Sequence, residues 1–523
     1  MADSGTGLRL RRYVIILRMN MTFESVGVVG AGAMGRGIAQ IAAQAGSTVM
    51  LFDTQAEAVD KARAAVFAQW DRLLEKGRMD AAQVAACKAR LLPAATLLDL
   101  ARCALVIEAI VEQLEAKQAL FSQLEAIVGD DALLASNTSS ISLTAIAAPL
   151  TRPQRLAGLH FFNPAPRMAL VEVIAGLATA PEVIDTLMAT ARAWGKTPVR
   201  AKSTPGFIVN RVARPYYAEA LRLAQEGAAS PATLDALLRE AGGFRMGPFE
   251  LMDMIGHDVN FAVTSSVWRG YFHDPRFLPS LMQQDLVEAG FLGRKRGRGF
   301  YDYRDGAAMP QADSAPPLPP PAQLAVCGDS PAARALAARL HAHGVAFAAL
   351  PSVDGRVAQA DDAVLFVTDG RSASQRAADL ALPNLLLIDL ALDYHLAPRL
   401  AAAAADGCAP AARDAGLGLL QAAGLAVSLL DDAPGLVVMR TVAMLANEAA
   451  DAVHQGVCSA ADADAAMQLG VNYPRGPLAW AEQIGLAQVR QVLAHLAACY
   501  GEDRYRISPR LQRAALTGRI LHD

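Results

Sequence analysis

Cysteine is scarce in this chain. Six cysteines occur in 523 residues, they lie far apart, and no two of them form a C-x-x-C pair. Such spacing provides neither a disulfide framework nor the paired thiolates of a zinc site. We therefore expect reduced thiols, a cytoplasmic protein and no metal centre.

Surplus positive charge and long apolar runs are also lacking. The 48 Lys and Arg residues face 51 Asp and Glu residues, so no basic surface for nucleic acid is predicted. No apolar run reaches the roughly 20 residues that span a bilayer, which argues against a membrane protein. Residues 1–23 include a short basic and apolar stretch without the length or cleavage site of a signal peptide. We expect that segment to be a disordered or mis-annotated extension.

The most informative segment that the chain does contain is residues 25–53, SVGVVGAGAMGRGIAQIAAQAGSTVMLFD. An apolar strand runs into Gly30-x-Gly32-x-x-Gly35, and a helix and a second apolar strand follow. Gly30 permits a sharp turn, Gly32 lets the backbone approach a pyrophosphate, and Gly35 lets the helix pack closely against the strand. The segment predicts a βαβ unit that binds a dinucleotide.

Two further features concern the bound dinucleotide, and the second of them distinguishes NAD from NADP. Ala33 and Met34 lie at the helix start, where free backbone amides and the positive end of the helix dipole face the phosphates. Asp53 ends the second strand and would accept both ribose hydroxyls of the adenosine half. Its neighbours Thr54 and Gln55 carry no positive charge for a 2′-phosphate. The predicted cofactor is NAD rather than NADP.

The pattern along the chain predicts several domains. Alternating apolar strands and helices indicate an α/β Rossmann-type domain with a mainly parallel sheet, and an all-helical domain follows it. After a Pro- and Ala-rich linker comes a shortened α/β segment, where Asp329 stands in place of a glycine near a pyrophosphate. This predicts a degenerate Rossmann-like domain without nucleotide. The expected boundaries are 24–202 for the NAD domain, 203–304 for the first helical domain, 305–323 for the linker, 324–431 for the degenerate domain and 432–523 for the second helical domain.

The second helical domain is a repeat of the first. Pro434-Gly435 repeats Pro205-Gly206 at a distance of 229 residues, and the same offset relates other pairs without a gap. Such a match on turn and cap residues indicates a duplication. One position differs in kind, because Asn210 becomes Met439, and we therefore predict that the second copy is structural. The other identical pairs are Arg211 and Arg440, Glu219 and Glu448, Gly227 and Gly456, Asp235 and Asp464, and Gly247-Pro248 and Gly476-Pro477.

Candidate catalytic residues occur in two segments of the first α/β domain. His160 lies in the apolar stretch GLHFFNP, and Glu172 follows twelve residues later on the next predicted strand. A returning strand could place the carboxylate on one ring nitrogen, which would fix the tautomer and raise the basicity of the imidazole. A satisfied core histidine and an ordinary strand-edge carboxylate remain the alternative interpretation.

The predicted chemistry is the oxidation of a secondary alcohol by NAD. A base takes the hydroxyl proton while hydride leaves the carbon, and neutral donors hold the oxygen as it becomes a carbonyl. His160 is the candidate base and Glu172 its orienting partner. Ser139, in the SNTSS segment at the end of a strand, and Asn210 are the candidate donors to the oxygen, although Asn210 could equally be a helix cap.

Five motifs in order, GAGAMGRGIAQ, VIEAIVE, SNTSSIS, GLHFFNPAPRMALVEVI and TPGFIVNRV, resemble those of the NAD-dependent L-3-hydroxyacyl-CoA dehydrogenases of β-oxidation. The resemblance covers roughly residues 24–303 and, more weakly, 432–515. It implies that His160 is the catalytic acid/base with Glu172 as its partner, and that Ser139 and Asn210 contact the substrate. It also implies that Glu112, Lys117 and Lys295 line the cofactor site.

The long form of the chain resembles the members of that family that act on 3-hydroxyadipyl-CoA in phenylacetate catabolism. The implied reaction converts a (3S)-3-hydroxyacyl-CoA to the 3-oxoacyl-CoA. A terminal carboxylate would need a second basic residue, for which Arg167 and Arg245 are candidates. A 3-hydroxybutyryl-CoA dehydrogenase is the alternative. In short-chain relatives the helical domains pair across a dimer interface, so either a homodimer or an intramolecular pseudo-dimer is expected.

Two interpretations from other classes compete with this one. The β-hydroxyacid dehydrogenases share a similar glycine-rich opening but use a lysine in the active site, which the His160 and Glu172 context disfavours. An NAD-binding module without turnover is the non-enzymatic alternative. The candidate catalytic residues of the first half argue against such a module. In the second half, Met439 and Asp329 are consistent with a segment that has no turnover.

Overall fold

The computed structural model describes residues 23–523, so all of the predicted extension at residues 1–23 except its last residue lies outside the described residues. The described chain forms two compact units. The first comprises the chain up to Val209 together with residues Gly456–Val471, and the second comprises Asn210–Gln455 and Asn472–Asp523. None of the helices in the described part of the chain is long and apolar enough to cross a membrane.

The first unit is built around an eight-stranded sheet in the order β3-β2-β1-β4-β5-β6-β7-β8. Neighbouring strands are parallel except for β6 and β7, which confirms the predicted Rossmann-type domain. The strands are β1 (Ser25–Val29), β2 (Thr48–Phe52), β3 (Leu91–Pro93), β4 (Leu105–Glu108), β5 (Leu133–Ser136), β6 (Leu156–Phe161), β7 (Leu170–Ala175) and β8 (Thr197–Lys202).

Helices cover both faces of this sheet, which is why its central strands are almost continuously apolar and buried. The helix after β1 presents buried residues such as Ile38 and Ala42 to the sheet. The helices up to this point in the chain are α1 (Ala33–Gln44), α2 (Ala56–Glu75), α3 (Ala81–Arg90), α4 (Leu114–Ile127), α5 (Leu143–Ala147), α6 (Pro181–Ala193) and the short α7 (Val209–Val212).

The second unit begins with the first helical domain and continues into a second sheet. The helices are α8 (Arg214–Gln225), α9 (Pro231–Glu240), α10 (Pro248–Ile255), α11 (His257–Gly270) and α12 (Leu281–Glu288). Residues 305–323 contain neither helix nor strand. This segment is nevertheless anchored, because Asp313 accepts hydrogen bonds from Ser230 and Thr233 and the Ala315 amide donates to Val427.

The second sheet has seven strands in the order β10-β9-β11-β12-β13-β14-β15, and β11 runs antiparallel to both of its neighbours. The prediction of a degenerate α/β domain is confirmed. The strands are β9 (Leu324–Cys327), β10 (Ala348–Leu350), β11 (Ala358–Ala360), β12 (Ala363–Val367), β13 (Leu385–Ile388), β14 (Arg399–Ala404) and β15 (Ala426–Leu429), and the helices are α13 (Pro331–Ala342), α14 (Ala373–Leu380) and α15 (Pro410–Ala422).

The second helical copy completes the chain, and its helices follow those of the first, with one continuous helix, residues 438–454, in place of α7 and α8. Residues Pro477–Ile484 form the counterpart of Pro248–Ile255 at the same offset of 229. One helix of this copy, residues 460–471, belongs to the first unit, where it packs on β7 and β8. The helices are α16 (Val438–His454), α17 (Ala460–Val471), α18 (Pro477–Ile484), α19 (Leu486–Tyr500) and α20 (Pro509–Thr517).

The duplication extends further upstream than sequence identities indicate. Strand β14 (399–404) lies 229 residues after β7 (170–175), and α15 (410–422) lies 229 residues after α6 (181–193). In both sheets the matching strand is antiparallel to the preceding strand and parallel to the following one. The repeat unit therefore includes the end of each α/β domain, and it runs from Leu156 and Leu385 onwards.

The two helical copies are joined by reciprocal buried ion pairs. Arg211 Nε donates to Glu448 at 2.6 Å, and Arg440 Nε donates to Glu219 at 2.7 Å. These two pairs are exchanged by the repeat offset, and all four side chains are almost completely buried. The repeat positions are thus related by an approximate two-fold axis, as in a self-complementary interface.

Candidate active site

The glycine-rich turn after β1 has the geometry that a pyrophosphate requires. Gly30 has a φ of +105°, and a Cβ there would lie 2.4 Å from the Ala109 carbonyl oxygen. A Cβ on Gly35 would lie 1.8 Å from the Gly30 carbonyl oxygen, so that α1 can approach the strand only without a side chain. A Cβ on Gly32 would meet nothing within 4 Å, which leaves open space in front of the helix start at Ala33 and Met34. The turn fits NAD.

Asp53 lies immediately after β2, beside the same turn. Its Oδ2 accepts a hydrogen bond from the Ala31 amide at 2.8 Å, and its Oδ1 accepts one from the Gln55 amide at 3.0 Å. These bonds fix the carboxylate at the edge of the glycine-rich turn, where the ribose of a bound dinucleotide would lie. The acceptor character of this group suits ribose hydroxyls and disfavours a phosphate.

His160 and Glu172 form a buried pair on the antiparallel strands β6 and β7. They are directly opposite each other in the register, and His160 Nδ1 lies 2.7 Å from Glu172 Oε2. The imidazole is 6% exposed and the carboxylate is completely buried. The rings of Phe162 and Phe207 lie against the imidazole, with centroids 4.5 and 6.0 Å away. The geometry holds Nδ1 on the carboxylate and leaves Nε2 as the other polar atom of the ring.

The second carboxylate oxygen of Glu172 binds backbone amides rather than the imidazole. Glu172 Oε1 accepts hydrogen bonds from the Ile208 and Val209 amides, both at 3.0 Å. These amides begin α7, where a helix has donors without internal partners. A single carboxylate therefore orients the imidazole and caps the helix start, so its position is fixed from two sides.

The loop that carries Ser139 is held by Glu112. The carboxylate oxygen Oε1 accepts from the Thr138 hydroxyl at 2.6 Å, the Ser139 amide at 2.9 Å and the Ser140 amide at 3.1 Å. Burial alone would raise the pKa of Glu112, but Thr138, Lys117 and the Ser139 amide together lower it below its ordinary value. Glu112 is thus ionised near neutral pH and shapes the loop next to the cofactor turn.

Two polar side chains that position this region had no role assigned from the sequence. Asn137 Oδ1 accepts from the Phe161 amide at 2.9 Å, which ties the Ser139 loop to the end of β6 beside His160. Glu108 is completely buried at the end of β4, accepts from Lys117 Nζ at 2.6 Å and accepts from the Ser136 hydroxyl at 2.6 Å. Both residues lie at the carboxyl end of parallel strands, where polar residues cluster at ligand sites, and this position could have identified them from the sequence.

Lys117 differs from a typical surface lysine because it is buried between two carboxylates. Its ammonium lies 2.6 Å from Glu108 and 3.2 Å from Glu112. Lys117 thus braces the two acidic residues that support the loop. The predicted role of Lys117 and Glu112 at the cofactor stays a prediction, and the geometry adds a positioning role for both.

The remaining candidate residues show different degrees of exposure. In the second unit, Asn210 lies in α7 and its carbonyl oxygen accepts from Arg214 Nε at 2.8 Å. Lys295 is half exposed and makes two short contacts, of 2.6 and 2.7 Å, with Asp258. Arg167 of the first unit and Arg245 of the second are both exposed. No group of three His, Cys, Asp or Glu residues that could hold a metal occurs within residues 23–523.

The second copy has no counterpart of the His–Glu pair. At the offset of 229, His160 becomes Asp389 and Glu172 becomes Ala401. Asp389 is fully buried, and its carboxylate accepts from the amides of Val437, Val438 and Met439 at 2.7–3.0 Å. It caps the helix start that corresponds to the one capped by Glu172.

Comparison with known families decides the class. Residues 25–204 match the NAD binding domain of 3-hydroxyacyl-CoA dehydrogenases, and residues 206–303 and 435–521 match the C-terminal domain of the same enzymes. The chain belongs to the 3-hydroxyacyl-CoA dehydrogenase family. It is an oxidoreductase that uses NAD, and the predicted reaction class is confirmed. The β-hydroxyacid dehydrogenase and non-enzymatic interpretations are wrong. Residues 365–434 match the reduced Rossmann-fold domain of 3-hydroxybutyryl-CoA dehydrogenase.

Individual relatives of this dehydrogenase include full-length and half-length proteins. The 3-hydroxyadipyl-CoA dehydrogenase of Escherichia coli is 44% identical over 502 residues, which cover 95% of this chain and 98% of the relative. A crystal structure of an E. coli 3-hydroxybutyryl-CoA dehydrogenase covers 95% of this chain and 99% of its own, with 43% identity and a TM-score of 0.86. The human mitochondrial hydroxyacyl-coenzyme A dehydrogenase is 39% identical over 287 residues, 54% of this chain and 91% of the relative.

Proposed function

We propose that this dehydrogenase oxidises the 3-hydroxyl group of 3-hydroxyadipyl-CoA and produces 3-oxoadipyl-CoA. The observation that carries the proposal is the 44% identity to a 3-hydroxyadipyl-CoA dehydrogenase, which extends through both copies of the repeat. We also place the enzyme in the cytoplasm, which is consistent with six cysteines that form no disulfide.

His160 is the catalytic base. Its Nδ1 lies on Glu172, so the tautomer with the proton on Nδ1 leaves a lone pair on Nε2 for the proton of the substrate hydroxyl. The Glu172 carboxylate stabilises the imidazolium that results, and the aromatic rings around His160 exclude water from the pair. NAD, when bound, supplies the acceptor for the hydride that the C3 carbon loses.

Ser139 and Asn210 hold the substrate oxygen while it changes from hydroxyl to carbonyl. Both side chains are neutral donors, which suits an oxygen that gains partial negative charge as its proton leaves. The loop of Ser139 is fixed by Glu112, so the position of this donor is set before the substrate arrives. Asn210 directly follows Val209 in the chain, and the Val209 amide donates to Glu172 at 3.0 Å.

Steady-state kinetics with two substrates test the proposal. The formation of NADH is measured with 3-hydroxyadipyl-CoA and with 3-hydroxybutyryl-CoA, and kcat/KM is expected to be higher for the first. The E. coli structure described as a 3-hydroxybutyryl-CoA dehydrogenase makes the second substrate the alternative candidate. A higher kcat/KM for 3-hydroxybutyryl-CoA would replace the proposed substrate with that one.

The helical copies pair within one chain as an intramolecular pseudo-dimer. The reciprocal pairs Arg211–Glu448 and Arg440–Glu219 support this proposal, because a free first copy could form the same pairs only with a second molecule. A chain ending at residue 303 is therefore expected to self-associate, with Arg211 on the Glu219 of another molecule. Sedimentation that shows a monomeric, soluble and fully active chain of that length would contradict it.

A further inference from the structure

One groove in the second unit has a volume of about 460 Å³ and lies along α8. The residues of α8 that line it are spaced three and four apart, which places them on one face of the helix. Arg214 stands at the end of this face nearest to Asn210. The opposite wall includes Thr264 of α11 and Gln283 of α12.

The charged side chains in the groove are paired with one exception. Arg222 donates to both oxygens of Glu502, at 3.2 and 2.8 Å. Glu226 accepts from the Tyr500 hydroxyl and lies 3.5 Å from Arg440. Arg504 lies 3.8 Å from Glu502. Only Arg214, among the charged residues that line the groove, has no carboxylate of residues 23–523 within 4 Å.

Arg214 is a buried cation whose hydrogen bonds go to neutral groups. The residue is 5% exposed, its Nε donates to the Asn210 carbonyl oxygen, and its Nη1 donates to the Thr264 hydroxyl at 2.8 Å. Its Nη2 makes no hydrogen bond with the described residues. Burial lowers the pKa of Arg214, since no nearby carboxylate compensates for the lost water. A buried charge of this kind is costly unless an anion pairs with it.

The internal repeat indicates that folding does not require this arrangement. At the offset of 229, Arg214 becomes Ala443 and Thr264 becomes Leu493, just as Asn210 becomes Met439. Arg211 and Glu219, which join the two copies, are kept as Arg440 and Glu448. The second copy thus lost the three polar groups together and kept the structural ones.

The spacing suits a dicarboxylic acyl chain. Arg214 follows Asn210 by four residues, and its Nε lies 2.8 Å from the Asn210 carbonyl oxygen. In a six-carbon diacid the terminal carboxylate lies three carbon–carbon bonds beyond the carbon that carries the hydroxyl. If Asn210 holds the substrate oxygen, three carbon–carbon bonds and one charge-assisted hydrogen bond bring the far carboxylate within reach of Arg214.

We propose that Arg214 binds the terminal carboxylate of the acyl chain and selects dicarboxylic 3-hydroxyacyl-CoA substrates. This inference rests on the proposed function, because it takes Asn210 as a donor to the substrate oxygen. Thr264 is a positioning residue that orients the guanidinium. The exposed Arg167 and Arg245, which the sequence suggested for this task, are not needed for it.

The test compares 3-hydroxyadipyl-CoA with 3-hydroxyhexanoyl-CoA, which has a methyl group in place of the far carboxylate. In Arg214→Met, kcat/KM for 3-hydroxyadipyl-CoA is expected to fall on the order of 100-fold, mainly through KM, because a buried charge pair is lost. The value for 3-hydroxyhexanoyl-CoA is expected to change much less. Arg214→Lys should recover part of the loss, because it keeps the charge but not the fork of donors.

Matched variants separate specificity from folding. Arg222→Met alters the same groove, but Arg222 is already paired, so the ratio of the two kcat/KM values is expected to stay as in the wild type. Thr264→Val is expected to lower the ratio partially. An equal loss on both substrates in Arg214→Met, or an unchanged ratio, overturns the inference and leaves the proposed function standing. A wild-type enzyme that does not oxidise 3-hydroxyadipyl-CoA overturns the proposed function itself.

Discussion

The two copies of the repeat, residues 156–288 and 385–517, share a scaffold and differ in chemistry. Both contain an antiparallel strand pair, a capped helix start and a helical domain at the same offset. The first copy has His160 opposite Glu172, whereas the second has Asp389 opposite Ala401. The groups that hold the fold are retained in both, and those assigned to catalysis occur in only one.

The position of the capping carboxylate is the most instructive difference. In the first copy the cap comes from β7, which leaves the facing position on β6 free for an imidazole. In the second copy the carboxylate comes from the position after β13 that corresponds to His160. A carboxylate cap at this helix start is therefore common to both copies, and Glu172 adds the orientation of His160 to that structural task.

Substitutions at the two matched positions, His160 and Asp389, are expected to give the largest difference in turnover. His160→Gln removes the base and should lower kcat by about 10²–10⁴-fold, the usual contribution of general-base catalysis. NAD affinity should change little, because the glycine-rich turn is untouched. Stopped-flow or steady-state measurement of NADH formation, with NAD binding by fluorescence, checks both expectations. Near-wild-type turnover would reject the assignment of His160.

Asp389→Asn is the control for that variant. The amide side chain keeps only one oxygen for the buried amides that Asp389 satisfies, so the protein should lose about 1–3 kcal/mol of stability. Its kcat should remain that of the wild type when measured on folded protein. Loss of turnover without loss of stability in Asp389→Asn would show that the second copy takes part in catalysis.

The reciprocal ion pairs predict an effect on stability alone. Glu219→Gln and Glu448→Gln each remove the nearest carboxylate of a buried guanidinium and should cost at most about 3–5 kcal/mol, because Glu226 stays 3.5 Å from Arg440 and Asp451 stays 3.6 Å from Arg211. Glu448 also lies 3.1 Å from the buried Arg276, so urea denaturation is expected to show a loss in both variants and a larger one in Glu448→Gln. A loss in only one of them would contradict the two-fold relation of the repeat.

The same pair predicts how stability depends on pH. Burial alone would raise the pKa of Glu219, but Arg440 and Arg504 lower it below its ordinary value of 4.5. The unfolded chain therefore binds this proton more readily, so the contribution to stability is present above about pH 4.5 and is lost as the pH falls. Glu219→Gln should lack this part of the acid sensitivity.

The sequence predicted the features that short-range patterns encode. The glycine-rich fingerprint and Asp53 belong to one βαβ unit, and His160 and Glu172, which pair across an antiparallel return, are only twelve residues apart in the sequence. The helical repeat was visible because turn glycines and prolines tolerate few substitutes. Each of these depends on residues close in sequence or on one fixed offset.

The features that sequence reasoning missed depend on register and on distant partners. Upstream of Pro205 identities at the offset are sparse, so the place of Asp389 opposite Ala401 emerges only from the strand pairing. The hydrogen bonds from Thr138 and Ser139 to Glu112, and the pairing of all groove charges except Arg214, involve residues on separate elements. Tertiary packing determines which polar side chains are buried together, and a local sequence pattern does not predict it.

The smallest effect on turnover is expected at the position where the first helical domain has Asn210 and the second has Met439. Asn210→Ala should lower kcat/KM by about tenfold, the loss expected for one hydrogen bond to a charged oxygen, with little change in stability. The matched variant Met439→Leu conserves volume in a fully buried site and should cost less than about 1.5 kcal/mol with no change in turnover. Kinetics and thermal melting of both proteins check the pair. Because Met439 occupies the place of Asn210, an equal loss of turnover in both would mean that this position acts through packing, and Asn210 would then have no role at the substrate oxygen.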